Sequence, residues 1–174
     1  MTISRGNKFH RYCFLIGCLT FSCFAAENAS PHAELSMQNM IQHITDTPDQ
    51  FAQYWNAERQ ALTDAIARQT PSADTVHAAR IVQWQWASGL INYPFFHHRE
   101  TGQSVPANWP PLLAAIESIR FDDASALHSP QYVELVQSWL HDRGMRRLKD
   151  DPQFSQGDNR WLRVSFSLIE HYIH

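Results

Sequence analysis

Four times in this chain a Ser or Thr stands directly before a proline: Ser30-Pro31, Thr47-Pro48, Thr70-Pro71 and Ser129-Pro130. Each pair reads as a helix start. The hydroxyl can accept from the first unpartnered backbone N–H groups, and proline loses nothing at the first helical position. Thr47 is the strongest case, because Gln50 three residues later completes a capping box. Apolar residues recur at helical spacing after each start. They are Leu35, Met40, Ile41 and Ile44, then Phe51, Tyr54, Trp55, Leu62 and Ile66. Val76, Ala79, Ile81, Val82, Trp86, Leu90 and Tyr93 follow, and after Ser129 come Val133, Val136, Trp139 and Leu140. Pro110-Pro111 opens a further segment with Leu112, Leu113, Ile116 and Ile119, and residues 158–174 form a last one. No stretch alternates with period two for long enough to demand a strand. The expectation is an all-α fold, a compact bundle of about six helices.

The same reasoning places the breaks. Pro94 ends the third helix, since the residue before a proline avoids helical dihedrals. Residues 94–110 then form a long, aromatic-rich loop, and Gly144 closes the helix begun at Pro130. Residues 75–144 carry Trp84, Trp86, Trp109 and Trp139, four of the six tryptophans, and should hold most of the core.

The first 26 residues are set apart by composition. Arg5, Lys8 and Arg11 precede an apolar run from Tyr12 to Ala25, and Cys23, Ala25 and Ala26 offer the small residues a signal peptidase needs. Residues 1–26 read as a signal peptide and residues 27–174 as one helical domain, exported and periplasmic. Leu15-Ile16-Gly17-Cys18 also resembles a lipobox, which would anchor the chain through Cys18. All three cysteines, Cys13, Cys18 and Cys23, lie in this stretch, so the mature domain has no disulfide and no thiol chemistry. Taking its three basic residues from the fourteen leaves eleven against seventeen acids, a net charge of −6 with His neutral. Such a surface is a poor fit for a phosphate backbone, and no nucleic-acid partner is expected. Arg143, Arg146, Arg147 and Lys149 adjoin Asp142, Asp150 and Asp151 and read as a solvated helix end. Asn28-Ala29-Ser30 matches a glycosylation acceptor.

Candidate chemistry is sparse. His97 and His98 are adjacent rather than one helical turn apart, so they lack a metal-binding spacing, even with His141 or His171 added. His171 and His174 would share a helix face. Glu117, Asp122 and Asp123 could pair for acid–base work, but nothing marks a cleft. Ser129, Ser138 and Ser165 lack a nucleophile-elbow context, and no glycine loop cradles phosphate. Trp84, Trp86, Tyr93 and Trp109 read as core rather than as a stacking platform. No catalytic residue, cofactor or metal is assigned.

Ala79-Arg80-Ile81, Trp86-Ala87, Leu90 and Tyr93-Pro94 form a pattern, followed by Leu127-His128-Ser129-Pro130-Gln131-Tyr132-Val133 and Asn159-Arg160-Trp161-Leu162 with Phe166. Together, over residues 75–174, they resemble the helical region that precedes the thioredoxin-like domain in exported TlpA-type thiol–disulfide oxidoreductases. The Cys-x-x-Cys pair and the βαβ pattern of that domain are absent, so no catalytic residue carries over. The resemblance implies a non-catalytic accessory module standing alone, or a truncated gene product, with another envelope protein, such as a thioredoxin-like one, as partner.

The expected partner-binding surface is the aromatic stretch with Tyr93, Phe95, Phe96, His97, His98 and Trp109, since aromatic side chains held between rigid helices make good anchors. A small periplasmic inhibitor or immunity-type protein is the alternative from a different class, and a His-dependent metal-binding protein is a third. The last helix carries Trp161, Leu162, Phe166, Ile169, Tyr172 and Ile173 on overlapping faces, which predicts a partly exposed apolar face and either self-association through it or a partner that covers it.

Overall fold

The structure is a computed structural model, and it describes residues 35–121, 123–155 and 159–172. Among these residues there are seven α-helices and no strand. They are α1 (Met37–Gln42), α2 (Pro48–Ala67), α3 (Ala73–Thr101), α4 (Pro110–Glu117), α5 (Pro130–Asp150), α6 (Pro152–Ser155) and α7 (Arg160–Tyr172), with a 3-10 turn at Ala124–His128 before α5. The helix beyond the expected six is α6, a single turn after Asp151. The expected cap at Ser30 lies outside the described residues.

Local chemistry sets several of the starts. Ser36 caps α1, accepting from the Asn39 N–H at 3.2 Å. Thr47 and Gln50 form the expected reciprocal box, and Pro48 fills the first turn of α2. The next start differs from the expectation at Thr70-Pro71. Ser72 caps α3 instead, in a box closed by Thr75, so those two residues remain outside the helix. Ser129 does precede α5, yet its hydroxyl meets Gln131 Oε1 at 2.9 Å rather than a backbone N–H. Pro130 at the first position is what suits that start.

α3 is the axis of the bundle. It packs against α1, α2, α4 and α5, and α5 in turn carries α6 and α7. It also overturns the expected break at Pro94, which lies inside the helix. An interior proline removes one backbone hydrogen bond and costs about 3 kcal/mol. Buried side chains on both sides of Pro94 offset this. Leu90, Ile91, Tyr93 and His97 are all buried, and each large buried side chain contributes about 1.5–3 kcal/mol. The helix instead ends at Gly102, whose φ of 74° is the left-handed conformation that glycine accepts freely, and its N–H donates to the His98 carbonyl at 2.8 Å. The loop therefore begins at Gly102, not at Pro94.

Gly144 is also displaced from its expected role. It lies inside α5, which continues to Asp150. A methyl at Gly144 would stand 2.5 Å from Trp161 Cζ3, so the glycine admits the indole of α7. Gly89 in α3 does the same for Trp55 of α2, with a methyl there 2.5 Å from Cζ2. The main core gathers Phe51, Trp55, Trp86, Leu90, Tyr93, Trp109, Leu112, Leu135 and Trp139, and Phe154, Val164 and Leu168 form a smaller cluster under α7. Between α3 and α5 runs a buried polar seam. Asn92 Nδ2 donates to Ser138 Oγ at 2.9 Å, and Ser88 Oγ lies 3.1 Å from it. Ser138 passes its own proton to the Glu134 carbonyl, so the seam is internally satisfied.

Candidate functional site

The six residues expected to bind a partner do not form one surface. Tyr93, His97 and Trp109 are buried in the protein's own core. The Tyr93 ring stacks on Phe51 with centroids 4.0 Å apart and lies 5.5 Å from Trp109. Its hydroxyl donates to the Asp46 carbonyl at 2.6 Å, and His97 Nδ1 lies 2.8 Å from the Ile44 carbonyl. With the tyrosine proton directed at Asp46, His97 Nδ1–H is the donor to Ile44. Together they fasten the stretch between α1 and α2 to α3. Burial pushes the Tyr93 phenol well above its ordinary pKa, with the Asp46 charge adding to the effect.

Phe95, Phe96 and His98 behave differently. Phe95 is two residues from both Tyr93 and His97, so the helical period turns it about half a turn from that buried row. It is half exposed and packs edge-on against Phe96 at 5.3 Å. The Arg99 guanidinium lies 5.0 Å from the Phe96 ring centre and 5.9 Å from that of Phe95. His98 is exposed, and its Nδ1 is 3.3 Å from the Gln103 carbonyl, just past the helix end.

His141 of α5 meets Phe95 edge-on at 5.6 Å, and its ring centre lies 5.4 Å from that of Trp161 of α7. Phe95, His141 and Trp161 thus make an aromatic row across three helices. Met145, one turn beyond His141, is exposed as well. On α7, Val164 and Leu168 face inward, while Leu162, Phe166 and Ile169 repeat at i, i+4 and i+7 and stay exposed, Phe166 to 62%. The ridge joins two stretches that the sequence places 66 residues apart. An exposed apolar face on α7 is what its amphipathic pattern predicts; Tyr172 belongs to α7 but its side chain, and all of Ile173, lie outside the described residues.

Other candidate chemistry is dispersed. Among the described residues no three of His, Cys, Asp or Glu converge to hold a metal ion. His97 faces the core, His98 the end of α3 and His141 the ridge. Asp123 is bonded to Arg80, and Asp122 lies outside the described residues. Among the described residues Ser138 meets Ser88, Asn92 and the Glu134 carbonyl, none of them a base. Trp86 is fixed in the core, its N–H on Asn56 Oδ1 at 2.8 Å and the Arg59 guanidinium 4.2 Å from its ring centre. Trp84 is partly buried against Tyr132. No described helix is long and apolar enough to cross a membrane.

Sequence reasoning named His141 only as a possible metal ligand and did not single out Met145. No local signal marks His141 as the link, because its neighbours come from α3 and α7. Compared with known proteins, the chain matches no protein-family model, no curated protein and no solved structure.

Proposed function

We propose that this chain is an exported, non-catalytic helical module that docks on another envelope protein through the ridge Phe95–His141–Trp161–Phe166. The observation that supports this reading is the row of ring contacts Phe95–His141–Trp161 beside the exposed stripe Leu162–Phe166–Ile169 of α7. Exposed apolar side chains scattered singly are normal, whereas a connected row from three helices is the form an interaction surface takes. At its edge Arg99 lies over both phenylalanine rings, half exposed and paired with the Glu100 carboxylate at 3.4 Å, so the fitting partner has an apolar groove with a polar rim. The resemblance of residues 75–174 to the helical region of TlpA-type proteins names the partner class to try first, a thioredoxin-like envelope protein. Export rests on the basic and apolar pattern of residues 1–26.

A photo-crosslinking residue at Phe166, with one at exposed Val76 as control, tests both parts in cells. The expected result is one discrete adduct from Phe166, none from Val76, recovered with the periplasmic fraction. Its purified partner should bind the protein, and Phe95→Glu should weaken that binding at least tenfold. An adduct of twice the chain mass would replace the separate partner with a second copy. Absence of any adduct overturns the docking surface, and recovery only from the cytosol with residues 1–26 intact overturns export.

A further inference from the structure

The basic cluster at the end of α5 borders a cleft. α6 and α7 fold back beside it and leave a cleft of about 430 Å³ whose walls include Arg143, Arg146, Arg147, Asp150, Asp151 and Leu168. The volume is within the range of small-molecule sites.

The charged groups in this cleft are not equally engaged. Arg146 is held by Asp142 one turn back, its Nε 2.9 Å and 3.1 Å from the two carboxylate oxygens. Arg147 donates to Ser167 Oγ at 2.7 Å and lies 5.8 Å from the Phe154 ring centre. Asp151 accepts from the Gln153 N–H at 2.9 Å and so caps α6. Arg143 differs: its Nε is buried, and no acceptor among the described residues reaches it. A buried donor without an acceptor destabilises the fold, and an acceptor brought by a ligand relieves that cost.

We propose that this cleft is a binding site for a small monoanionic carboxylate with a short apolar body, held by Arg143. The planar fork of a guanidinium matches a carboxylate in two parallel hydrogen bonds. Leu168 and Pro152 give the carbon body an apolar wall. Counted with Asp142, which holds Arg146, Asp150 and Asp151 make three carboxylates that balance the three guanidiniums, so the cleft has no net positive charge to hold a dianion such as phosphate, while one guanidinium fork still suits a monoanion. The site is separate from the ridge. Leu168 points inward, two residues from Phe166, on the other face of α7.

The test is an NMR titration of the protein with butyrate, and separately with inorganic phosphate, reading the Arg143 Nε–H resonance and the amides of α5 and α7. Butyrate is expected to shift the Arg143 Nε–H and saturate in the millimolar range, the order of roughly 4 kcal/mol, with phosphate at least tenfold weaker. Arg143→Gln should lose the response, and Arg143→Lys should retain a weakened one, because an ammonium keeps the charge but not the fork. The wild-type titration stands on its own if Arg143→Gln fails to fold. No shift up to roughly 100 mM butyrate means a cleft that holds only water, and it overturns the site. Phosphate binding as tightly as butyrate overturns the ligand class. Unchanged butyrate affinity in folded Arg143→Gln overturns the role of Arg143.

Discussion

Trp55 and Trp161 both cover a glycine inside a neighbouring helix, and the approach is equally close, with a methyl on either glycine 2.5 Å from the nearest ring atom. Their surroundings are opposite. Trp55 is 1% exposed, donates its N–H to the Trp86 carbonyl at 3.0 Å and lies 5.7 Å from Phe51. Trp161 is 38% exposed and has the imidazole of His141 beside it. One device closes a core and also raises a surface. What separates the two is how much of the chain packs outside the indole. Around Trp55 the main core leaves no room for adjustment, whereas α7 rests on a small cluster and can shift.

Replacing each tryptophan tests this contrast most directly. Trp55→Ala should cost about 3–5 kcal/mol, a large part of the 5–15 kcal/mol that holds a typical domain, and Trp161→Ala about 1 kcal/mol. Thermal unfolding followed by circular dichroism measures both. Equal losses would show that α7 is as deeply built into the fold as α2.

Adding a methyl at each glycine gives the next largest difference. Gly89→Ala forces a buried ring to move and should lose about 1–3 kcal/mol, even though alanine is the better helix former by about 1 kcal/mol. In Gly144→Ala the same gain in propensity offsets a ring that can swing outward, so global stability should change by less than about 1 kcal/mol. Hydrogen exchange should then show faster opening of α7 alone. Slower exchange in α7, or a large global loss, would remove the distinction.

The smallest effect belongs to the core side and depends on pH. The Tyr93 phenol has its pKa raised, chiefly by burial, so the fold holds the neutral form. Its contribution is fully present below about pH 10 and is lost as pH rises above that value toward the folded one. Tyr93→Phe removes both the titration and the bond to Asp46, and should cost about 1 kcal/mol at neutral pH. Urea titrations of the two proteins should converge as pH passes about 10. A constant gap would mean that Tyr93 is more hydrated than its burial shows.

Much of the framework is legible in the residues. The Thr47–Gln50 box, Pro48, Pro110 and Pro130 mark helix starts because each acts within one turn of its own position. The stripe Leu162–Phe166–Ile169 is equally local, since a period of 3.6 on one helix needs no partner to define it. The aromatic stretch was harder. Tyr93 and Phe95 are neighbours of similar character, yet one is buried and the other faces solvent. Pro94 reads as a terminator by every local rule and is overridden.

By itself, then, the sequence determined the helical class, the Thr47–Gln50 capping box and the two-faced character of α7, all through interactions between residues no more than four apart. The tertiary structure decided the rest. α3 runs through Pro94 because Tyr93 and His97 find the carbonyls of Asp46 and Ile44, 47 and 53 residues away. Gly89 and Gly144 have their purpose only once Trp55 and Trp161 arrive. Phe95, His141 and Trp161 become one ridge only because α5 lies between α3 and α7. Burial and contact depend on partners distant in the chain, and no local pattern carries that information.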